Sequence, residues 1–213
     1  MQTFYLTNAK NNCSAVSPVM GVMLMLFLTI IFAGVTVSTV YGDGFSSSLN
    51  KAPPMAVIEI ESLDGGVPNN VQYKENNMVL LHQGGEHLDA DSTRIVIAGQ
   101  GSAYTGFLGH GGQIRYSEIL VNYGDISFVD KDSKYVLNNP DLSDGFWSVG
   151  ETLRLNGDDG IRYNSSVTVK IGAFEETANN YGLKEDSTVS IKIFDKNTDS
   201  LIAECDHIVT PVA

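Results

Sequence analysis

The stretch Ala15–Tyr41 reads AVSPVMGVMLMLFLTIIFAGVTVSTVY, and no charged residue occurs between Lys10 and Asp43. Its uncharged part Val19–Val40 would make a helix roughly 33 Å long at about 1.5 Å per residue, enough to cross a bilayer core. A secretory signal peptide would place a shorter apolar run behind a basic start, so this segment is too long for one. Pro18 suits the first helical turn, with Ser17 before it as N-cap. Gly21, Gly34 and Gly42 are small enough to allow close helix–helix approach. Lys10 on one flank and Asp43 on the other favour an orientation with the N-terminus inside.

Working outward, residues 1–14 (MQTFYLTNAKNNCS) are polar and show no helical or strand period. On the other side, GDGFSSSLNKAPP (42–54) breaks the helix with glycines, serines and two prolines. Beyond it the period changes to that of short strands: MAVIEIE (55–61), NNMVLLHQ (76–83), STRIVIAG (92–99), SEILVNY (117–123), FWSVGETLRL (146–155), SSVTVKIG (165–172), STVSIKIF (187–194) and LIAECDHIV (201–209). Turn clusters separate them: DGG (64–66), QGG (83–85), GHGG (109–112), NNPDLSDG (138–145) and NGDDG (156–160), with DKNTDS as a hairpin turn. No stretch of this part reads as an amphipathic helix. The expected architecture is a long N-terminal hydrophobic α-helix followed by an all-β, Ig-like β-sandwich. Its boundaries are a leader at 1–14, the helix at 15–44, a hinge at 45–54 and the sandwich at 55–213.

Charge divides the chain the same way. All 25 acidic residues lie beyond position 42 against twelve of the 13 basic ones, leaving −13 on that part. A domain so acidic, with no basic stripe, argues against nucleic acid as a partner. Cys13 and Cys205 stand on opposite sides of the apolar segment, so no disulfide is expected. Lipidation at Cys13 is rejected because the apolar run follows the cysteine instead of preceding it.

No catalytic, cofactor-binding or metal constellation survives inspection. His82 and His87 in HQGGEH are five apart with two glycines between them, which describes a turn rather than a metal-binding helix. His110 and His207 are isolated. GQGSAYTG (99–106) follows a strand but opens no helix, so a bound phosphate would lack its helix N-terminus. In DKNTDSLIAECD (195–206) the calcium-loop positions fall on Asp195, Asn197, Asp199 and Asp206, but Ser200 replaces the turn glycine and the final glutamate is missing. Asn164-Ser165-Ser166 is a glycosylation sequon at the start of a strand, so Asn164 is a candidate site. Trp147, the single tryptophan, is expected to fill the sandwich core beside Leu153 and Leu155.

The polar leader with its lysine, followed by AVSPVMG opening straight into the hydrophobic helix, resembles the class III signal of type IV pilin-like proteins. More narrowly, AVSPVMGVMLMLFLTIIFAG is similar to the N-terminal segment of archaeal type IV pilins. VLLHQGGEHLDADSTRIVIAG and FWSVGETLRL have the look of the ectodomain in that family. The resemblance implies a structural protein, not an enzyme. A prepilin peptidase would remove the leader, by analogy between Ser14 and Ala15. This chain departs from the family in placing its lysine four residues before Ser14, which leaves cleavage beside Val16 open. The glutamate of bacterial pilins is absent from the helix, as in the archaeal pattern. The resemblance further implies a precursor held in the membrane with its C-terminal domain outside, and a pilus assembly machinery. The product would be a homo-oligomeric surface filament serving adhesion, with Val19, Gly21, Leu24, Phe27, Ile31 and Gly34 in its helical core. The competing reading is a membrane-tethered extracellular binding or sensing domain that stays monomeric.

Overall fold

The computed structural model describes residues 18–41, 52–67, 71–106, 112–161, 165–173 and 180–212, with helix side chains described over 19–34. The chain forms two compact units, Met1–Lys51 and Ala52–Ala213. The first contains helix α1, Pro18–Tyr41. Proline at its start costs nothing there, because the first-turn N–H groups have no intrahelical acceptor. Among the described residues no helix is long and apolar enough to cross a membrane.

The second unit is a β-sandwich. Its strands are β1 (Ala56–Gly65), β2 (Asn77–Gly85), β3 (Leu88–Asp89), β4 (Thr93–Thr105), β5 (Gln113–Tyr123), β6 (Phe146–Trp147), β7 (Thr152–Asn156), β8 (Val167–Ile171), β9 (Tyr181–Leu183), β10 (Thr188–Asp195), β11 (Ser200–Ile208) and β12 (Thr210–Pro211). One sheet runs β12-β1-β2-β7 and the other β11-β10-β4-β5-β8, with β9 also on β4, while β3 and β6 form a small ribbon. The β12–β1 pair is parallel, and the remaining pairs are antiparallel. Alternation puts Ile58, Ile60, Met78, Leu80, Leu153 and Leu155 of the first sheet inward. They join Ile95, Ile97, Ile119, Val121, Val169, Ile191 and Ile193 of the second in one contiguous core. Two sheets facing across such a layer are the sandwich that the alternating runs imply.

The structure corrects several local expectations. The strand expected at 92–99 is longer than its alternating run: β4 continues through GQGSAYT to Thr105, paired with β5 from Gln100↔Glu118 to Thr105↔Gln113. QGG is not a turn, since Gly84 and Gly85 pair with Val57 and Ala56. Asp64 and Gly65 of DGG likewise end β1. FWSVGETLRL is two strands. Gly150 turns the chain at φ +91°, and the Glu151 carboxylate accepts from Ser148 N at 2.6 Å. A short helix, α2 (Ser133–Asn138), is capped by the Asp132 carboxylate, which accepts from Lys134 N at 2.9 Å. It leads into a 3-10 turn over Pro140–Asp144, where sequence reading expects only a loop.

Two asparagines do structural work with their amides. Asn76 is buried, and its Oδ1 accepts from Gly66 N (3.1 Å) and Leu183 N (2.7 Å), tying the end of β1 to β9. Asn139, also buried, lies along β7, the outermost strand of its sheet. Its Nδ2 donates to Arg154 O (2.9 Å) and its Oδ1 accepts from Arg154 N (2.7 Å), replacing one residue of a neighbouring strand.

Candidate functional site

Helix α1 is the candidate site. Val19, Met20, Val22, Met23, Leu24, Met25, Leu26, Phe27, Leu28, Ile30, Ile31 and Phe32 are all between 50% and 73% exposed in the single chain. Apolar side chains surround the axis, so the helix has no polar face to turn to water. At about 1.5–3 kcal/mol for each large apolar side chain removed from water, covering this surface is worth on the order of 20 kcal/mol. That exceeds the 5–15 kcal/mol by which whole domains are stable, so water is not the resting solvent of this helix. Thr29 keeps its hydroxyl satisfied within the helix by donating to Leu26 O at 2.9 Å, which suits an apolar surrounding.

The expected core positions Val19, Leu24, Phe27 and Ile31 are all exposed. A Cβ built at Gly21 or Gly34 meets nothing within 4 Å. Neither glycine is required by the subunit's own packing. At about 100° per residue, the two point about 140° apart around the helix. Ser14, Ala15, Ser17 and Asn164 lie outside the described residues, as do Cys13 and His110. Beside Asn164, the sequon hydroxyl of Ser166 is already engaged, accepting from Lys131 Nζ at 2.9 Å and donating to Val129 O at 3.2 Å.

Within the sandwich the titratable groups serve structure. His82 is fully buried, donates from Nε2 to Glu86 O (2.9 Å) and meets the Trp147 ring edge-on. His87 instead meets the Phe146 ring edge-on, so the two histidines do not converge. Asp195 closes the β10–β11 turn, its Oδ2 accepting from Thr198 N (3.0 Å) and Thr198 Oγ1 (2.7 Å). Among the described residues no three His, Cys, Asp or Glu side chains are placed to hold a metal ion.

Sequence reading missed a buried cluster where the loop after β7 meets β5 and β9. The Asp159 Oδ2 accepts from Asn156 N (2.6 Å) and from the Tyr123 hydroxyl (3.0 Å), which in turn lies 2.9 Å from the Tyr181 hydroxyl. Burial raises the Asp159 carboxyl to about 7, against the lowering effect of those hydrogen bonds and of Lys131. Lys131 is held by Asp125 Oδ1 (2.9 Å), Ser127 O (2.7 Å) and Ser166 Oγ (2.9 Å), and burial lowers its pKa. The cluster members are separated by 36 and 58 positions, so no local motif announces them.

An uncharged helix with apolar residues on every side and two open glycine clefts directs the comparison with known proteins to the N-terminus. Residues 14–56 match the family "Archaeal Type IV pilin, N-terminal". This pilin match covers α1 and reaches the first residue of β1. The chain is also 32% identical over 91 residues to an uncharacterized protein of Archaeoglobus fulgidus. That alignment takes in 43% of this chain and 57% of the relative's length. The pilin family points to a pilin-like structural subunit rather than an enzyme.

Proposed function

We propose that the chain is a pilin subunit that polymerises through α1 into a type IV pilus-like surface filament serving adhesion. The observation that carries this reading is the exposure of apolar side chains around the whole helix, inside the segment that matches the pilin family. Lipid solvates such a helix while the precursor waits in the membrane, its C-terminal domain outside. Neighbouring helices solvate it in the filament by dispersion contacts. A prepilin peptidase removes residues 1–14 between Ser14 and Ala15. Residues 15–44 then form the filament core, 45–54 a hinge and 55–213 the exterior, with Asn164 the candidate glycosylation residue. The wide angular separation of Gly21 and Gly34 suits a helix surrounded by copies of itself. The family match, which begins at Ser14, supports the leader boundary.

Intact-mass analysis of sheared extracellular filaments tests the proposal. The expected mature N-terminus is Ala15, and a full-length chain confined to the membrane as a monomer would overturn the reading. Gly34→Leu provides a second test. Glycine disfavours a helix interior by about 1 kcal/mol, and the added side chain meets open space in the subunit. The variant is therefore expected to insert and accumulate normally yet yield no filaments by electron microscopy. Normal filaments would exclude close helix contact at that position.

A further inference from the structure

The outer face of the larger sheet carries an open groove of about 540 Å³. Its floor is apolar, formed by Val96, Leu120 and Phe194, and its charged lining residues are Arg94, Lys170 and Lys192. No carboxylate lines it, although acids outnumber bases 25 to 13 in the whole chain. Strand register fixes the pattern. Lys192 faces Val96, Leu120 faces Lys170, and Arg94 faces Phe194, with the guanidinium 4.8 Å from the ring centre. From β10 to β8 is three strand steps, roughly 14 Å. A linear chain can cover that span and a single small anion cannot.

We propose that this groove binds an acidic polysaccharide. A sugar ring offers an apolar face for Phe194 and Leu120, hydroxyls for the Asn122 and Thr168 side chains that also line the groove, and a carboxylate for each cation. Asp199 and Glu204, the carboxylates paired with Arg94 and Lys192, are not among the residues that line the groove. Arg94 Nη2 is 2.9 Å from Asp199 Oδ1 and Lys192 Nζ is 3.0 Å from Glu204 Oε1. Such exposed pairs contribute little to stability, so a ligand carboxylate displaces or shares them at little cost. They also orient the cations. Charge density selects the ligand. With a screening length of about 8 Å at physiological salt, a thin polymer in the groove is shielded from the acidic residues on the far faces of the domain. A second copy of this domain would bring its own net −13 against the same face. A nucleic acid would bring a dense run of phosphates.

The test is binding of the full chain, in detergent micelles, to alginate, with uncharged dextran as control. The wild type is expected to bind alginate at low salt, to lose it as salt rises, and to ignore dextran. Lys170→Glu with Lys192→Glu should weaken alginate binding at least tenfold with an unchanged melting temperature. The equally charge-changing pair Lys74→Glu with Lys184→Glu, on exposed residues outside the groove, should bind as the wild type. Equal loss in both double variants, or none in the first, overturns the assignment. So does equal binding of a single-stranded oligonucleotide, or a groove variant that alters only self-association. None of these outcomes depends on filament formation, so the groove and the pilin reading fail separately.

Discussion

Trp147→Ala is expected to destabilise the sandwich by about 4 kcal/mol. Its side chain is fully buried between the core and His82, and truncation of a buried tryptophan leaves a cavity the surrounding strands cannot close. The indole N–H also donates to Glu151 O at 3.1 Å, which helps to set the turn between β6 and β7. For a domain of this size the loss corresponds to a melting temperature lower by roughly 10 °C. Because Trp147 is the single tryptophan, circular dichroism is the suitable readout in place of fluorescence. Trp147→Phe keeps most of the volume and should recover most of the loss. A variant that melts with the wild type would mean that the ribbon of β3 and β6 is not part of the cooperative core.

The second large effect is a pH dependence. The folded Asp159 carboxyl titrates near 7, well above the usual carboxyl value, chiefly because burial penalises its charge. The folded state therefore holds this proton more tightly than the unfolded chain does. The resulting stabilisation is complete below about pH 4 and is lost as pH rises through 7. Over that window it amounts to on the order of 4 kcal/mol. Asp159→Asn keeps an oxygen for Asn156 N and the Tyr123 hydroxyl but cannot ionise. Denaturant titrations from pH 4 to 8 should show wild-type stability falling with pH and the variant nearly flat across the same range. Parallel curves would mean that Asp159 stays ionised in the fold.

How much of this was legible depended on whether the signal was local. The uncharged run after Pro18 needs no tertiary information to be a helix. The alternating runs at β1, β8, β10 and β11 gave those strands to within a few residues. Reading failed where glycine had a purpose other than a turn. At Gly101 a side chain would collide with the carbonyl oxygen of Gly182, so this glycine lets β9 lie against β4. A glycine that admits a neighbouring backbone looks in sequence like one that bends the chain. β9 itself, three residues long, is too short to show a period. The helix α2 has an N-cap aspartate but only six residues. For the candidate site, the helix positions were readable because they need no partner within the chain. The groove was not, because Arg94, Lys170 and Lys192 converge only through the register of β4, β8 and β10.

Asn139 bears on how such domains live together. A strand with free N–H and C=O groups is an invitation to any other strand, and crowding multiplies the invitations. By spending its amide on both backbone groups of Arg154, Asn139 closes the border of β7 without covering it in bulk. In the proposed filament, neighbouring domains would then touch there without pairing strands. Cohesion of that filament would fall to the helices, with each exterior domain staying individual.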